Sequence, residues 1–523
     1  MKNNRVVFAL SFLISTLLTP HAMNGQDLVV FIAVDQLRGD YLDRFGPELT
    51  GGLARLTRDG AHFVNAYQDH ANTVTAVGHA SMLSGRFPRS TGIISNNLGV
   101  PDPQAISTDG TSSASPFRFR GSTLIDWMRV VDPLSRALSV SVKDRAAILP
   151  LGRAKQQTYW YSSTGAFTTS NYYADTLPDW VKRFNALKLP EKYAGRVWQP
   201  IRNPSAYPEP DSGKALAGGQ PSVFPHALSR DAAEAVKQLS EFPWIDEVNL
   251  QLALAGLDAL KLGKNGHRDL LAISLSATDA IGQSFGPDSR ELHDQILRLD
   301  VALGQFLDSL FKRFPPEKVV VALTADHGVT SVPEMIAKSP EEAKEYRVNF
   351  TPLLADVRNE VTKRGFPANA IIMEGGLVMF SPALYNRQPM RDTIANIFAT
   401  GARKIPGVER VDMVRDLPWG DTINDPITRR WLHALPPDVP IPVVVTLKDA
   451  HVFGNPRSAT HGSPRDRDAH VPIIFFGPQF KPGRYTEFVR TVDIAPTLAA
   501  VLGIPPTEPL DGKVLTAALK VNW

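Results

Sequence analysis

Three aspartates stand where short apolar runs stop. Asp35 follows Leu28 to Val34 (LVVFIAV), and Asp279 follows Leu270 to Leu275 (LLAISL) across Ser276-Ala277-Thr278. Asp326 follows Val319 to Leu323 (VVVAL) across Thr324-Ala325. One such aspartate ordinarily caps a turn or a helix. Several carboxylates gathered together cost free energy unless cations neutralise them. Asp326 leads directly into His327 and Gly328, which adds an imidazole to the set. Carboxylate with neutral imidazole suits zinc, and two-metal hydrolytic sites hold their ions about 3.5–4 Å apart. The chain has no cysteine. Disulfides, thiolate metal sites, Fe–S clusters and a cysteine nucleophile are therefore excluded.

Two further segments gain weight in that company. The run Thr73-Val74-Thr75-Ala76-Val77-Gly78-His79-Ala80-Ser81-Met82-Leu83-Ser84-Gly85 reads as small residues entering a short helix that ends at Gly85. A threonine in the first turn would hold its hydroxyl at the positive helix end, where anions bind. Alone it is an ordinary cap; beside a metal ion its hydroxyl becomes a nucleophile. The second segment is Ser141-Val142-Lys143-Asp144-Arg145, after the strand-like Ala137-Leu138-Ser139-Val140. On an extended backbone Lys143 and Arg145 face the same way and could grip a dianionic phosphate. Without the aspartates that pair would read as a solvated surface feature.

A sheet is needed to bring these groups together. Continuous β-rich apolar runs suit strands covered on both faces, and ligands of open α/β sheets bind beyond the strands' carboxyl ends. Val471 to Gly477 and Ile441 to Leu447 add candidate strands, while Ser289 to Phe311 and Val492 to Leu502 read as amphipathic helices. The expected fold is α/β, an α/β/α sandwich around a largely parallel sheet over residues 27–520. Stretches at approximately 97–120, 150–265 and 331–460 read as inserted cap segments, because structureless loops of that length are uncommon.

Lys2 and Arg5 precede the apolar run Val6 to Leu18, and Pro20-His21-Ala22 offers a stop and a small residue for cleavage. Residues 1–22 thus read as a secretory signal peptide, and the mature chain as exported, periplasmic or secreted, with no stable membrane span. With 56 basic and 53 acidic residues the net charge is only +3, too balanced for an electrostatic nucleic-acid binder.

In their order along the chain these motifs resemble the alkaline phosphatase superfamily, most of all the bacterial exported phosphatases with a threonine nucleophile, the PafA-like group. The resemblance runs from about Leu28 to about Leu519. It includes Gly92-Ile93-Ile94-Ser95-Asn96 and Thr460-His461-Gly462-Ser463 as well as the segments above. It implies that Thr75 is the nucleophile and that Asn96, Lys143 and Arg145 bind the phosphate. It implies two zinc ions, the second on Asp35, Asp326 and His327, the first on Asp279, His461 and one more histidine. Here the chain departs from the family's D-x-x-G-H, because Asp279-Ala280-Ile281-Gly282 is followed by Gln283. An amide oxygen is a poorer zinc ligand than imidazole, so the first site is expected to hold zinc less tightly or to favour a harder metal.

The implied activity is hydrolysis of small phosphate monoesters. A phosphodiesterase or nucleotide pyrophosphatase of the same superfamily is the alternative. A phosphate- or metal-binding homologue impaired by Gln283 is another. Arg429-Arg430 reads as a surface pair and Arg465-Asp466-Arg467-Asp468 as a solvated loop. His79 is expected to pack or hydrogen-bond near the site without being a ligand.

Overall fold

The run Leu28–Val34 is buried along its whole length and forms the central strand, β1. Its side chains alternate between two cores. Leu28, Val30, Ile32 and Val34 enter one hydrophobic cluster, and Val29, Phe31 and Ala33 enter the other, as the two-residue period of a strand requires. Helices cover both faces, which makes an α/β/α sandwich. The computed structural model describes residues 26–209, 223–454 and 459–520; the expected leader (1–22) lies outside them.

The other strands of the main sheet are β2 (Ala61–Tyr67), β3 (Ala137–Ser141), β4 (Gln157–Tyr161), β5 (Phe167–Thr168), β6 (Asp269–Leu275), β7 (Val319–Thr324), β8 (His470–Phe476), β9 (Gly483–Tyr485) and β10 (Val489–Arg490). Their order is β9-β2-β8-β7-β1-β6-β3-β4-β5, with β10 also paired to β2. The pairings leave only β8 and β5 running against the rest. The neighbours β7, β1, β6 and β3 are all parallel, so their carboxyl ends open side by side on one edge.

The helices that matter for the site are α1 (Thr75–Met82), α2 (Asp144–Ile148), α3 (Trp244–Leu260), α4 (Ala277–Phe285) and α5 (Arg290–Arg313). Ser289 caps α5 by accepting from the Leu292 N–H, so the helix starts one residue inside the expected boundary.

The expected insert 150–265 is partly core. Its residues 157–161 and 167–168 are β4 and β5 of the main sheet, and α3 packs its buried face into the first cluster. Turn-rich connections between these elements hide that continuity in the sequence. Residues 331–460 differ, since they build a separate four-stranded antiparallel sheet (371–374, 377–380, 443–447, 408–413) over its own apolar cluster.

The helix α6 (Pro426–Ala434) joins this smaller unit to the main sheet. Asp69, fully buried just past β2, accepts from Arg429 at 2.9 Å and lies 3.5 Å from the Arg430 Nε. Arg430 is itself buried and donates to the Pro464 carbonyl. Arg429-Arg430 is therefore not a surface pair. A buried carboxylate across the interface draws both guanidinium groups inward.

Among the described residues no helix is long and apolar enough to cross a membrane.

Candidate active site

The four parallel strand ends deliver the four segments singled out in the sequence. Asp35 follows β1 directly, Lys143 lies just past β3, Asp279 sits in the first turn of α4 after β6, and Asp326-His327 follow β7. Asp35, Asp326 and His327 each bring a ligand atom within 4.8 Å of the others, and so do Asp279, His327 and His461. The two groups share His327.

The donor chemistry fits divalent cations. Asp35 Oδ1, Asp326 Oδ2 and His327 Nε2 are buried and carry no hydrogen bond. Each imidazole has its outer nitrogen occupied. His327 Nδ1 lies 2.9 Å from the Gly328 carbonyl, and His461 Nδ1 lies 2.9 Å from the Thr73 carbonyl. In the neutral rings, donation from Nδ1 would leave Nε2 as the lone-pair atom that faces the carboxylates. The two rings stack with centroids 3.7 Å apart.

Lys143 stands in the middle. Its Nζ lies 2.5 Å from both Asp35 Oδ2 and Asp279 Oδ2. Burial works against its charge, but Asp279 and Asp35 outweigh burial and hold the ammonium well above its ordinary range. For Asp35, burial and the Asp326 charge push upward, yet Lys143 and His327 win and keep the carboxyl below its usual range. Burial would lower His327, but Asp326 and Asp35 raise it to about 9. Burial and the neighbouring His327 depress His461.

Thr75 is the first residue of α1, after an extended Val74. The helix packs hard on the β7 edge. A Cβ on Gly78 would come 2.2 Å from the Asp326 carbonyl oxygen, so only glycine permits this approach. His79 follows on the same helix, with Nε2 2.8 Å from Ser274 Oγ and Nδ1 3.2 Å from Asp326 Oδ2. Asn96 accepts from the Ala76 N–H through Oδ1 at 2.9 Å, which leaves the NH2 end of its amide as the donor group.

Lys143 and Arg145 do line one cavity, of about 520 Å³, together with Asp279 and Gln283. They do not share an extended segment. Lys143 is the extended residue before α2 and Arg145 belongs to its first turn; the strand ends at Ser141, so the chain's turn into the helix brings the two together.

Gln283 occupies the same neighbourhood. Its Nε2 donates to Asp279 Oδ1 at 2.7 Å and lies 3.2 Å from His461 Nε2. A half-turn of the amide would turn Oε1 toward His461 and Asp279 instead. His293 lies elsewhere, buried with its Nδ1 3.0 Å from Glu209 Oε2.

Two carboxylates escaped the sequence reading. Asp246 on α3 accepts from the Ser276 and Ala277 N–H groups at 2.9 and 3.1 Å and so caps α4, the helix that carries Asp279. Burial pushes it up to about 7. Asp468 is buried, accepting from Thr330 Oγ1 at 2.7 Å and from the Ser463 N–H at 2.9 Å. The Gly328 N–H donates to its carbonyl at 2.7 Å. The segment 465–468 thus braces the His327 and His461 loops and is not simply a solvated loop. Alternating charge conceals such a role, because only the packing reveals which acid turns inward.

Paired metal-ready clusters at the carboxyl edge of a mostly parallel α/β/α sheet define an alkaline phosphatase-like architecture. The chain belongs to the type I phosphodiesterase / nucleotide pyrophosphatase family, whose sequence profile matches residues 29–372. It is 32% identical to alkaline phosphatase PhoV of Synechococcus elongatus, covering 96% of this chain and 94% of that one. It is 28% identical to alkaline phosphatase PafA of Elizabethkingia meningoseptica, covering 95% of each. A crystal structure of PafA superposes with a TM-score of 0.85 over 95% of this chain and 99% of that one, at 27% identity.

Proposed function

We propose that the chain is an exported alkaline phosphatase, hydrolysing small phosphate monoesters through a phosphothreonine on Thr75 with two zinc ions. The observation that carries this reading is the pair of donor groups meeting at His327, with Lys143 between them. The likeness to PhoV and PafA over nearly the whole chain supports it. The leader-like run at 6–18 supports export.

Asp35, Asp326 and His327 would hold the second zinc; Asp279, His461 and Gln283 would hold the first. Zinc at such positions lowers a hydroxyl's pKa and neutralises charge on a departing oxygen. The Thr75 hydroxyl gives its proton to water and its oxygen attacks phosphorus, and the bond from phosphorus to the ester oxygen breaks as the new P–O bond forms. The departing alcohol takes a proton from water. A second water then attacks the phosphothreonine and releases inorganic phosphate and the free hydroxyl. Throughout, the Asn96 amide, the Lys143 ammonium and the Arg145 guanidinium hold the non-bridging oxygens. Phosphoryl transfer asks for positioning and charge stabilisation more than for covalent help. The cavity beside this clamp is lined by Ser162, Ser163 and Ser284 together with Tyr161, Lys237 and Glu241.

Zinc-loaded protein is expected to turn over p-nitrophenyl phosphate at least about 100-fold faster than its bis-p-nitrophenyl diester, because two cations match a dianion better than a monoanion. The family's description favours the phosphodiesterase reading, and a preference for the diester would establish it. Failure on both esters by metal-replete protein would instead identify a binding homologue.

Gln283 is the other discriminating position. Gln283→His should raise zinc affinity at the first site by about 10-fold or more, since imidazole outcompetes an amide for this metal. Zinc content measured after dialysis at limiting metal checks it. An unchanged content would mean that Gln283 does not limit the site.

A further inference from the structure

Gln36 follows Asp35 directly and is fully buried, yet its backbone is left-handed, with φ of 66°. A non-glycine residue in that region is strained and persists only where its surroundings demand it. The demand is visible on two sides. The Gln36 backbone N–H donates to Asp326 Oδ1 at 3.1 Å, and its side-chain Nε2 donates to Asp279 Oδ1 at 2.6 Å. One residue therefore touches a carboxylate of each donor group, and Asp35 precedes it in the chain.

The fit continues across the interface with α4. A Cβ placed on Gly282 would lie 2.1 Å from Gln36 Oε1. Gly282 is thus the opening that lets the Gln36 amide lie against α4 and reach Asp279 one turn earlier. Asp279 Oδ1, 3.8 Å from His461 Nε2, then accepts from Gln36, while Oδ2 faces Lys143. The Gln36 amide thus fixes the Asp279 oxygen that faces His461, and the other oxygen is left to Lys143.

We propose that Gln36 is a positioning residue that ties the two metal clusters together, its backbone N–H orienting Asp326 and its side-chain amide orienting Asp279. The proposal rests on the two-metal reading above. It makes the two arms separable, because the first needs only a backbone N–H and the second needs the side chain. Glycine adopts φ of 66° without strain, so Gln36→Gly deletes the second arm and keeps the first.

The test is a calorimetric zinc titration of the full-length, chelator-stripped protein, with the first site identified as the one lost in Asp279→Ala. Gln36→Gly should weaken the first site about 10- to 100-fold, the usual effect of losing a partner of a metal ligand, and leave the second within about twofold. Gly282→Ala should reproduce that loss by displacing the amide. The double variant should match Gln36→Gly alone, because both changes remove one contact. Equal weakening of both sites, no weakening in Gln36→Gly, or additive losses would each overturn the proposal. A wild-type chain that binds zinc at two sites with an unaffected Gln36→Gly variant leaves the phosphatase reading standing. A wild-type chain that binds no zinc overturns both.

Discussion

Thr75→Ala is expected to lower turnover of an aryl phosphate by at least about 10⁴-fold while leaving zinc content and thermal stability close to those of the wild type. Thr75 opens α1, so its hydroxyl lies at the helix end where N–H groups and the macrodipole favour negative charge. The side chain is buried but small, and alanine is the best helix former, so the substitution costs little in packing. What disappears is the atom proposed to form the bond to phosphorus. Thr75→Ser keeps that oxygen and should retain activity within about 100-fold, because serine restores the hydroxyl and loses only a methyl group. Steady-state assays of both variants check the rates, and mass spectrometry of acid-quenched wild-type protein should find phosphate on Thr75. An alanine variant within tenfold of the wild type would mean that another group attacks phosphorus.

The frame of this site is legible in the sequence because each part has a local signature. Leu28–Val34 is an unbroken apolar run ended by Asp35, and Val319 to Leu323 is another with Asp326 shortly beyond it, so both the strands and the edge where Asp35 and Asp326 emerge can be read directly. Parallel neighbours do the rest, since β7, β1 and β6 put three such ends side by side. The alternation of β1 between two cores was likewise implicit in a run buried on both faces. Other features depend on contacts between distant segments and leave no local trace. Val471 to Phe476 is as apolar as its neighbours, yet it runs antiparallel to β7; the direction follows from the path of the intervening cap, not from composition. Arg430 looks like any surface cation until Asp69, more than three hundred residues earlier, meets it inside the protein. Gln36 carries no motif, because its importance lies in a backbone angle and in a glycine on another helix.

Removing the two cations should separate monoester from diester chemistry. The double variant Lys143→Ala/Arg145→Ala is expected to lose about 10³-fold or more against p-nitrophenyl phosphate and no more than about tenfold against the diester. A monoester dianion presents an additional charged oxygen, and these two side chains line the cavity where it would lie. Arg145 Nε is buried without a partner, which leaves a donor available to that oxygen. Lys143 also makes contacts that the sequence alone does not suggest. Its ammonium lies against Asp35 and Asp279, so it competes for the carboxylates that would bind zinc. Lys143→Ala alone should therefore lower the monoester rate and at the same time tighten zinc binding, because a positive charge close to the metals has been removed. A general collapse of the site would move both quantities downward. Zinc affinity and monoester rate falling together in Lys143→Ala would show that the lysine holds the cluster in shape, and equal losses on the two esters in the double variant would remove the basis for a monoester preference.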